Sequence, residues 1–123
     1  MKIAITSSGE QHTSSLNPRF GRCEYFIIID TETEVWEAAL NPAVGARGGA
    51  GSQAAQFMAN QGVEAVISGR YGPNAYTALE SAGIQAFVSS QETIAAAFDK
   101  FLAQELEQVT AATGPQIHAG GGR

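Results

Sequence analysis

The chain has 123 residues, of which 44% are hydrophobic and 15% charged, and its formal net charge is −5. This length is typical of one domain with its own core, and the acidic balance disfavours non-specific binding to nucleic acids or to anionic membranes. No apolar run approaches the ~20 residues that span a bilayer. The start of the chain is typical of a strand, not of a signal peptide. The lone cysteine, Cys23, excludes an internal disulfide and favours a cytoplasmic location.

The first half of the chain predicts three β-strands. Runs of β-branched and aromatic residues at 2–6 and 24–29 are typical of strands. A third apolar run, at 34–40, follows the second after so short a gap that a hairpin is the simplest connection. The polar stretch 7–22 between the first two strands is a long loop, and loops of this length in a compact domain are usually functional or mobile.

The second half alternates helices with strands. Helices are predicted at 52–61 and 73–82, and each is followed by a glycine and a buried strand, at 63–67 and 84–88. Pro73 suits the first position of the second helix. Strands that alternate with helices in this way pair in parallel through right-handed crossovers.

A last helix is predicted from a capping box, in which Ser89 and Glu92 have the spacing S-x-x-E. Apolar residues then recur at three- and four-residue steps, which is the helical period: Ile94, Ala97, Phe98, Phe101, Leu102, Leu106 and Val109. From residue 110 the pattern stops. We therefore expect a single domain over 1–109 and a disordered tail over 110–123.

The predicted order β-β-β-α-β-α-β-α gives a three-layer α/β/α fold with a mixed five-stranded sheet, in which strand 2 is antiparallel. The loops after strands 1, 3 and 4 then leave the same edge of the sheet, the edge where ligands bind in open α/β folds. Those loops hold four of the seven basic residues of the chain, Arg19, Arg22, Arg47 and Arg70. Loop arginines are often simply solvated, but this concentration favours an anion site.

The same loops are rich in glycine, whose backbone N–H groups could approach an anion. With Phe20, the candidate binding residues are therefore Arg19, Arg22, Arg47, Arg70, Gly21, Gly48, Gly49, Gly51, Gly69 and Gly72. The segment 49–54 has the form G-x-G-x-x-A, but the acidic residue expected about 20 positions later is replaced by Arg70. No Walker A sequence follows either. We therefore expect no nucleotide.

Catalytic chemistry finds little support in the sequence. No histidine–acid pair can be placed beside Ser7 or Ser8 to activate a nucleophile, and no clustered carboxylates suggest a two-metal site. The residues that could ligate a soft metal match no zinc spacing. Of these, His12 lies in the long first loop and Cys23 opens a strand; either could add one metal ligand, although such a cysteine is more often a small buried residue.

Three segments carry a family resemblance: S-S-G-E to Y-F-I-I-I-D (7–30), G-A-G (49–51), and V-I-S-G-R-Y-G-P-N-A-Y-T-A-L-E-S-A-G-I (66–84). Together they resemble the dinitrogenase iron-molybdenum cofactor biosynthesis family, which includes nitrogenase accessory proteins and the orange protein of sulfate reducers. The resemblance implies an RNase H-like fold. It also implies non-covalent binding of an anionic metal–sulfur cluster, with molybdenum, iron or both, by carriers that are not generally enzymes. Nitrogenase-type members typically have a histidine before Phe-Gly, where this chain has Arg19.

Three functions remain open from the sequence. The first is a cytoplasmic carrier or chaperone of an anionic metal–sulfur cluster or its precursor. The second is a protein–protein interaction module of a cluster assembly system, with Trp36 and Tyr71 as candidate contacts. The third is a binder of small oxyanions or phosphorylated metabolites. None of the three requires a catalytic residue, a nucleic acid or a membrane.

Overall fold

The computed structural model describes residues 1–111. The described chain forms six strands and three helices: β1 (Lys2–Ser7), β2 (Tyr25–Asp30), β3 (Trp36–Leu40), α1 (Ala50–Asn60), β4 (Ala65–Ser68), α2 (Pro73–Ser81), β5 (Gln85–Val88), α3 (Ile94–Leu102) and β6 (Glu107–Gln108). None of the described helices is long and apolar enough to cross a membrane. The tail predicted for 110–123 lies, from residue 112 onward, outside the described residues.

The strands form one mixed sheet in the order β3-β2-β1-β4-β5-β6. β2 runs antiparallel to both of its neighbours, β1 and β3, whereas β1, β4 and β5 are parallel to one another. This confirms the predicted mixed topology of the RNase H-like type. The sheet has a sixth strand that the sequence did not predict, and β6 pairs antiparallel with β5.

Helices cover both faces of the sheet, which gives three layers and two apolar cores. α1 and α2 pack on one face, where Met58 and Leu79 join a cluster that includes Phe26 and Val66. α3 packs on the other face, where Ile94 contacts a cluster rich in isoleucine. Successive residues of a strand point to opposite faces, so the central strands, buried on both sides, are apolar except near their ends.

The last helix is shorter than predicted. α3 ends at Leu102, Gln104 has a left-handed φ of 61°, and the chain then turns into β6. Leu106 packs on the α3 side of the sheet, whereas Val109 is buried on the α1/α2 side, where its N–H donates to the Ala86 carbonyl at 2.7 Å. A three-residue step keeps two side chains on one face of a helix but on opposite faces of a strand. Helical periodicity alone could not distinguish the two.

The predicted capping box is also wrong. Thr93 is the N-cap of α3, and its Oγ1 accepts a hydrogen bond from the Ala96 N–H at 3.1 Å. Ser89 instead donates to the Glu92 carboxylate, ahead of the helix, and Lys100 forms an ion pair with the same carboxylate at 2.9 Å. Glu92 thus links the segment before α3 to the last turn of that helix.

We expect Glu92→Gln to lower the free energy of unfolding by about 0.5–1 kcal/mol at pH 7. The substitution removes a partly screened ion pair and weakens one hydrogen bond to a charged group. Burial raises the pKa of Glu92, but the Ser89 hydrogen bond and Lys100 outweigh it and leave the pKa lowered. A lowered folded-state pKa stabilises the fold above the unfolded-state pKa, and this contribution disappears as the pH falls through the folded-state pKa. Chemical unfolding of both proteins at neutral and acidic pH checks this. The exposed Glu105→Gln is the control, and a difference independent of pH would contradict the assignment.

Candidate functional site

Three loops meet at the carboxyl edge of the parallel strands, as their topology requires. We name them L1 (residues 8–24, after β1), L2 (41–49, after β3) and L3 (69–72, after β4). L1 and L3 are joined backbone to backbone. The Arg70 N–H donates to the Pro18 carbonyl at 2.8 Å, and the Phe20 N–H donates to the Arg70 carbonyl at 3.2 Å.

Asn41 links L1 to L2 from a fully buried position. Its Nδ2 donates to the carbonyls of Gly21 at 3.1 Å and Cys23 at 2.9 Å, and its Oδ1 accepts from the Ala43 N–H at 2.9 Å. Arg22 adds a second link, because its Nη1 donates to the Ala46 carbonyl at 2.7 Å. The third strand predicted from the sequence ends at residue 40, and no role was predicted for Asn41. One local signal was present: an Asn side chain often accepts a hydrogen bond from the backbone N–H two residues later, in an Asx-turn.

Phe20 holds L1 against the core under α1 and α2. Its ring lies 5.7 Å from that of Phe26 and 5.4 Å from that of Tyr71, and the side chain is only 6% exposed. Tyr71 is fully buried, and its hydroxyl donates to the Phe87 carbonyl at 2.6 Å. Burial raises the pKa of Tyr71 far above its usual range. Tyr71 therefore belongs to the core and is not a surface contact for a partner.

The predicted glycines fall into two groups. A Cβ on Gly21 would lie 2.9 Å from the Cα of Gly51, one on Gly51 would lie 2.7 Å from the Ala75 Cβ, and one on Gly69 would lie 2.7 Å from Pro18. These three permit close packing of loops and helices. At the other three glycines, Gly48, Gly49 and Gly72, an added Cβ would meet no described atom within 4 Å. A side chain at these three positions would therefore clash with nothing in the described part of the chain.

The loops enclose a cleft of about 230 Å³ where the N-termini of α1 and α2 come together. We call it the loop cleft; its walls are Phe20, Arg22, Gly49, Ala50, Gly51, Gly72, Pro73, Asn74 and Ala75. The N-caps of the two helices, Gly49 and Gly72, have no side chain to cap the first turn, and neither first turn contains an acidic residue. Uncapped N–H groups and the helix dipole both favour an anion there.

The comparison with known proteins agrees with this architecture. A family profile described as "Dinitrogenase iron-molybdenum cofactor" matches residues 1–104. The chain belongs to this family. An uncharacterized protein of Methanocaldococcus jannaschii is 33% identical over 111 residues, which covers 88% of this chain and 91% of the relative. Membership links the chain to the biosynthesis of the iron-molybdenum cofactor.

Two solved structures of similar proteins superpose over almost the whole domain. The apo form of the orange protein from Desulfovibrio gigas has a TM-score of 0.89 at 31% identity, covering 92% of this chain and 96% of its own. A NifB-like protein from Thermotoga has a TM-score of 0.82 at 35% identity, covering 93% and 97%. The α/β fold described above is therefore that of the dinitrogenase iron-molybdenum cofactor family.

In this family member, the cleft takes in five of the eleven predicted binding residues: Phe20, Arg22, Gly49, Gly51 and Gly72. The remaining three arginines, Arg19, Arg47 and Arg70, are exposed on the same loops but do not line the cleft, and neither do Gly21, Gly48 and Gly69. Among the described residues, none of the four arginines forms a salt bridge. Within residues 1–111, no carboxylate is therefore paired with their charge.

The two candidate metal ligands lie elsewhere. Cys23, near the end of L1, is fully buried, with Asn41 Nδ2 3.8 Å from its Sγ. Burial raises the pKa of the Cys23 thiol to about 12, although hydrogen bonds oppose the shift, so the thiol stays protonated at neutral pH. His12 lies in L1 but stacks edge-on against Trp36 at 5.8 Å, beside a cavity on the α3 side of the sheet. In the described part of the chain, no three His, Cys, Asp or Glu residues are grouped to hold a metal ion.

Proposed function

We propose that this protein is a cytoplasmic, non-catalytic carrier that binds an anionic metal–sulfur cluster or its precursor in the loop cleft, without covalent bonds. The cluster would contain molybdenum, iron or both, and residues 1–109 would form the carrying domain. The observation that carries the proposal is that two uncapped helix N-termini and Arg22 share one cleft. Family membership indicates the chemical class of the cargo.

Charge is the first argument for an anionic cargo. The whole chain is acidic, yet no carboxylate is among the residues that line the cleft. Each helix N-terminus contributes about half a positive charge, and Arg22 adds a full one. The exposed arginines on L1, L2 and L3 add positive charge on the same loops and would increase the association rate of an anion.

The chemistry of the walls is the second argument. Backbone N–H groups of α1 and α2 lie beside the apolar surfaces of Phe20, Ala50 and Ala75. A sulfide-bridged cluster is a diffuse anion with a soft, weakly hydrated surface, so it gains from both kinds of contact. The lining contains no histidine, cysteine or carboxylate that could coordinate metal. We propose that Arg22 retains the cargo in the cleft by charge, and that Gly49 and Gly72 admit it to the backbone. Arg19, Arg47 and Arg70 add positive charge on the same loops.

The direct test is anaerobic titration of the full chain with tetrathiomolybdate and, separately, with a preformed iron–sulfur cluster, followed by absorption spectroscopy. Loss of one charge-assisted hydrogen bond costs about 1.5–3 kcal/mol, so we expect Arg22→Gln to weaken binding at least tenfold. Arg19→Gln/Arg47→Gln should weaken binding less at high salt than at low salt, because exposed charges are screened. Lys2→Gln is the matched control, because it removes the same amount of charge at the start of β1, the opposite end of that strand from L1.

Equal binding by wild type and the arginine variants, or no binding by either, would contradict the carrier proposal. Inorganic phosphate is the competitor that addresses the oxyanion alternative, because helix N-termini also suit phosphate. If phosphate binds as tightly as the sulfur-containing anions, the cleft is a general oxyanion site. If tetrathiomolybdate or the iron–sulfur cluster binds tightly and phosphate does not displace it, the result supports a metal–sulfur cargo. A protein of the cluster assembly system would then receive that cargo.

A further inference from the structure

The outer edge of the sheet carries most of the exposed apolar side chains of the described residues. Five large hydrophobic side chains are exposed in the described chain: Val35 (69%), Trp36 (37%), Leu40 (61%), Val44 (42%) and Leu102 (44%). All except Leu102 lie on β3 or within four residues of it. β3 is an edge strand whose single strand partner in the described chain is β2. Edge strands are usually protected by lysine, proline or a bulge, but residues 36–40 contain no lysine and no proline.

The backbone of β3 presents a regular set of hydrogen-bonding groups outward. The Asp30 N–H donates to the Val35 carbonyl at 3.0 Å, and the Asn41 N–H donates to the Glu24 carbonyl at 2.9 Å, so residues 35 and 41 face β2. In an antiparallel pair the facing residues alternate. The N–H and C=O groups of Trp36, Ala38 and Leu40 therefore point away from β2, on the side of β3 where no strand of the described residues pairs.

We infer that β3 pairs antiparallel with β3 of a second copy of this chain, about a twofold axis at Ala38. In this register Ala38 faces its own counterpart and Trp36 faces the partner's Leu40. The three outward residues of each copy then form about six hydrogen bonds between the chains. Trp36, Ala38 and Leu40 all point to the α3 side of the sheet, so the indole and the leucine cover each other twice.

The alternative registers are worse for definite reasons. A twofold axis at Glu37 would set two carboxylates directly opposite each other, which destabilises a strand pair. An axis at Ala39 would put Pro42, which has no N–H, opposite Trp36 and lose a hydrogen bond on each side. With the axis at Ala38, Glu37 instead faces the partner's Ala39. The strand is thus complementary to itself in one register, which is why a second copy is the occupant that we infer.

This pairing is independent of the proposed cargo site. Because the two copies of β3 are antiparallel, the carboxyl ends of the parallel strands point in opposite directions in the two copies. The two loop clefts then lie at opposite ends of the strands of the joined sheet, and both stay open. Each cleft could therefore be loaded in the dimer as in the monomer.

The first experiment is sedimentation velocity of the full chain from about 1 µM to about 1 mM, the range of weak specific association. We expect a reversible dimer. Leu40→Glu should weaken it at least about tenfold, because a buried leucine is lost and a charge is introduced. Leu102→Glu is the matched control, because Leu102 is the other exposed leucine of the described residues and lies away from β3. This substitution should leave the dimer unchanged. A monomer throughout the range, or equal effects of the two substitutions, would overturn the inference.

A second experiment tests the register and does not depend on the folding of Leu40→Glu. Facing residues of a hydrogen-bonded pair have Cα atoms about 5.5 Å apart, within reach of a disulfide. Ala38→Cys should therefore form a covalent dimer under mild oxidation, whereas Ala39→Cys, offset from its counterpart in this register, should not. The native Cys23 is fully buried and does not interfere. Cross-linking at 39 but not at 38, or at neither position, would overturn the proposed pairing.

Discussion

Asn41→Ala is expected to lower the free energy of unfolding by about 2–4 kcal/mol, because it removes several hydrogen bonds from fully buried groups. The substitution leaves the carbonyls of Gly21 and Cys23 and the N–H of Ala43 without the partner that Asn41 gives them. Water cannot easily replace that partner, since Asn41, Cys23 and Ala43 are all fully buried. Urea unfolding of the variant and the wild type measures the difference.

The same substitution should also weaken anion binding. Asn41 joins L1 to L2, and these loops contribute Arg22 and Gly49 to the cleft. Once the loops are uncoupled, the anion must order them itself, and that cost reduces the apparent affinity. Asn60→Ala is the control, because Asn60 is exposed and its side chain accepts a hydrogen bond from the exposed Gln56. We expect a change within about 0.5 kcal/mol. An Asn41 variant as stable as this control would show that the buried hydrogen bonds contribute nothing.

Most of the sheet topology could be predicted from the sequence because short and helical connections determine strand direction. The antiparallel pairing of β1 with β2 across the long L1 was an assumption of that prediction, and the structure confirms it. The four-residue gap before 34–40 required a hairpin, and the helices between later strands required parallel crossovers. Once those directions were known, the meeting of L1, L2 and L3 at one edge followed without any knowledge of side chains. The end of α3 could not be predicted in this way, because Leu106 and Val109 satisfy helical spacing while lying on opposite faces of a sheet.

The candidate site was predictable at the level of loops but not at the level of contacts. Gly51 was chosen as a residue that would let backbone approach a ligand, but its lack of a side chain serves packing against Ala75, 24 positions later. Asn41 was overlooked because the carbonyls that it binds are 18 and 20 residues away in the chain. Such contacts depend on how closely loops and helices approach in space, and no local pattern in the sequence records that distance.

Gly21→Ala is expected to destabilise the protein by about 2–5 kcal/mol, combining the cost of a left-handed alanine with that of overpacking. Gly21 has a φ of 95°, and its added Cβ would lie 2.9 Å from the Cα of Gly51, which is backbone and cannot rotate away. Relief would require L1 to move away from the first turn of α1, which would change the shape of the loop cleft. Thermal and urea unfolding should therefore show the largest loss among the loop glycines.

Two neighbouring glycines separate the causes of that loss. Gly49 has a φ of 73° but no described atom within 4 Å of its added Cβ, so Gly49→Ala should cost about 1–2 kcal/mol from backbone strain alone. Gly48 has neither a left-handed φ nor a close neighbour, so Gly48→Ala should change stability by at most about 0.5 kcal/mol. If the costs of backbone strain and of close approach add, the loss of stability should increase from Gly48→Ala through Gly49→Ala to Gly21→Ala. Equal costs at all three positions would mean that L1 is not packed against α1, and the loop cleft would lose the rigid wall that the proposed anion binding requires.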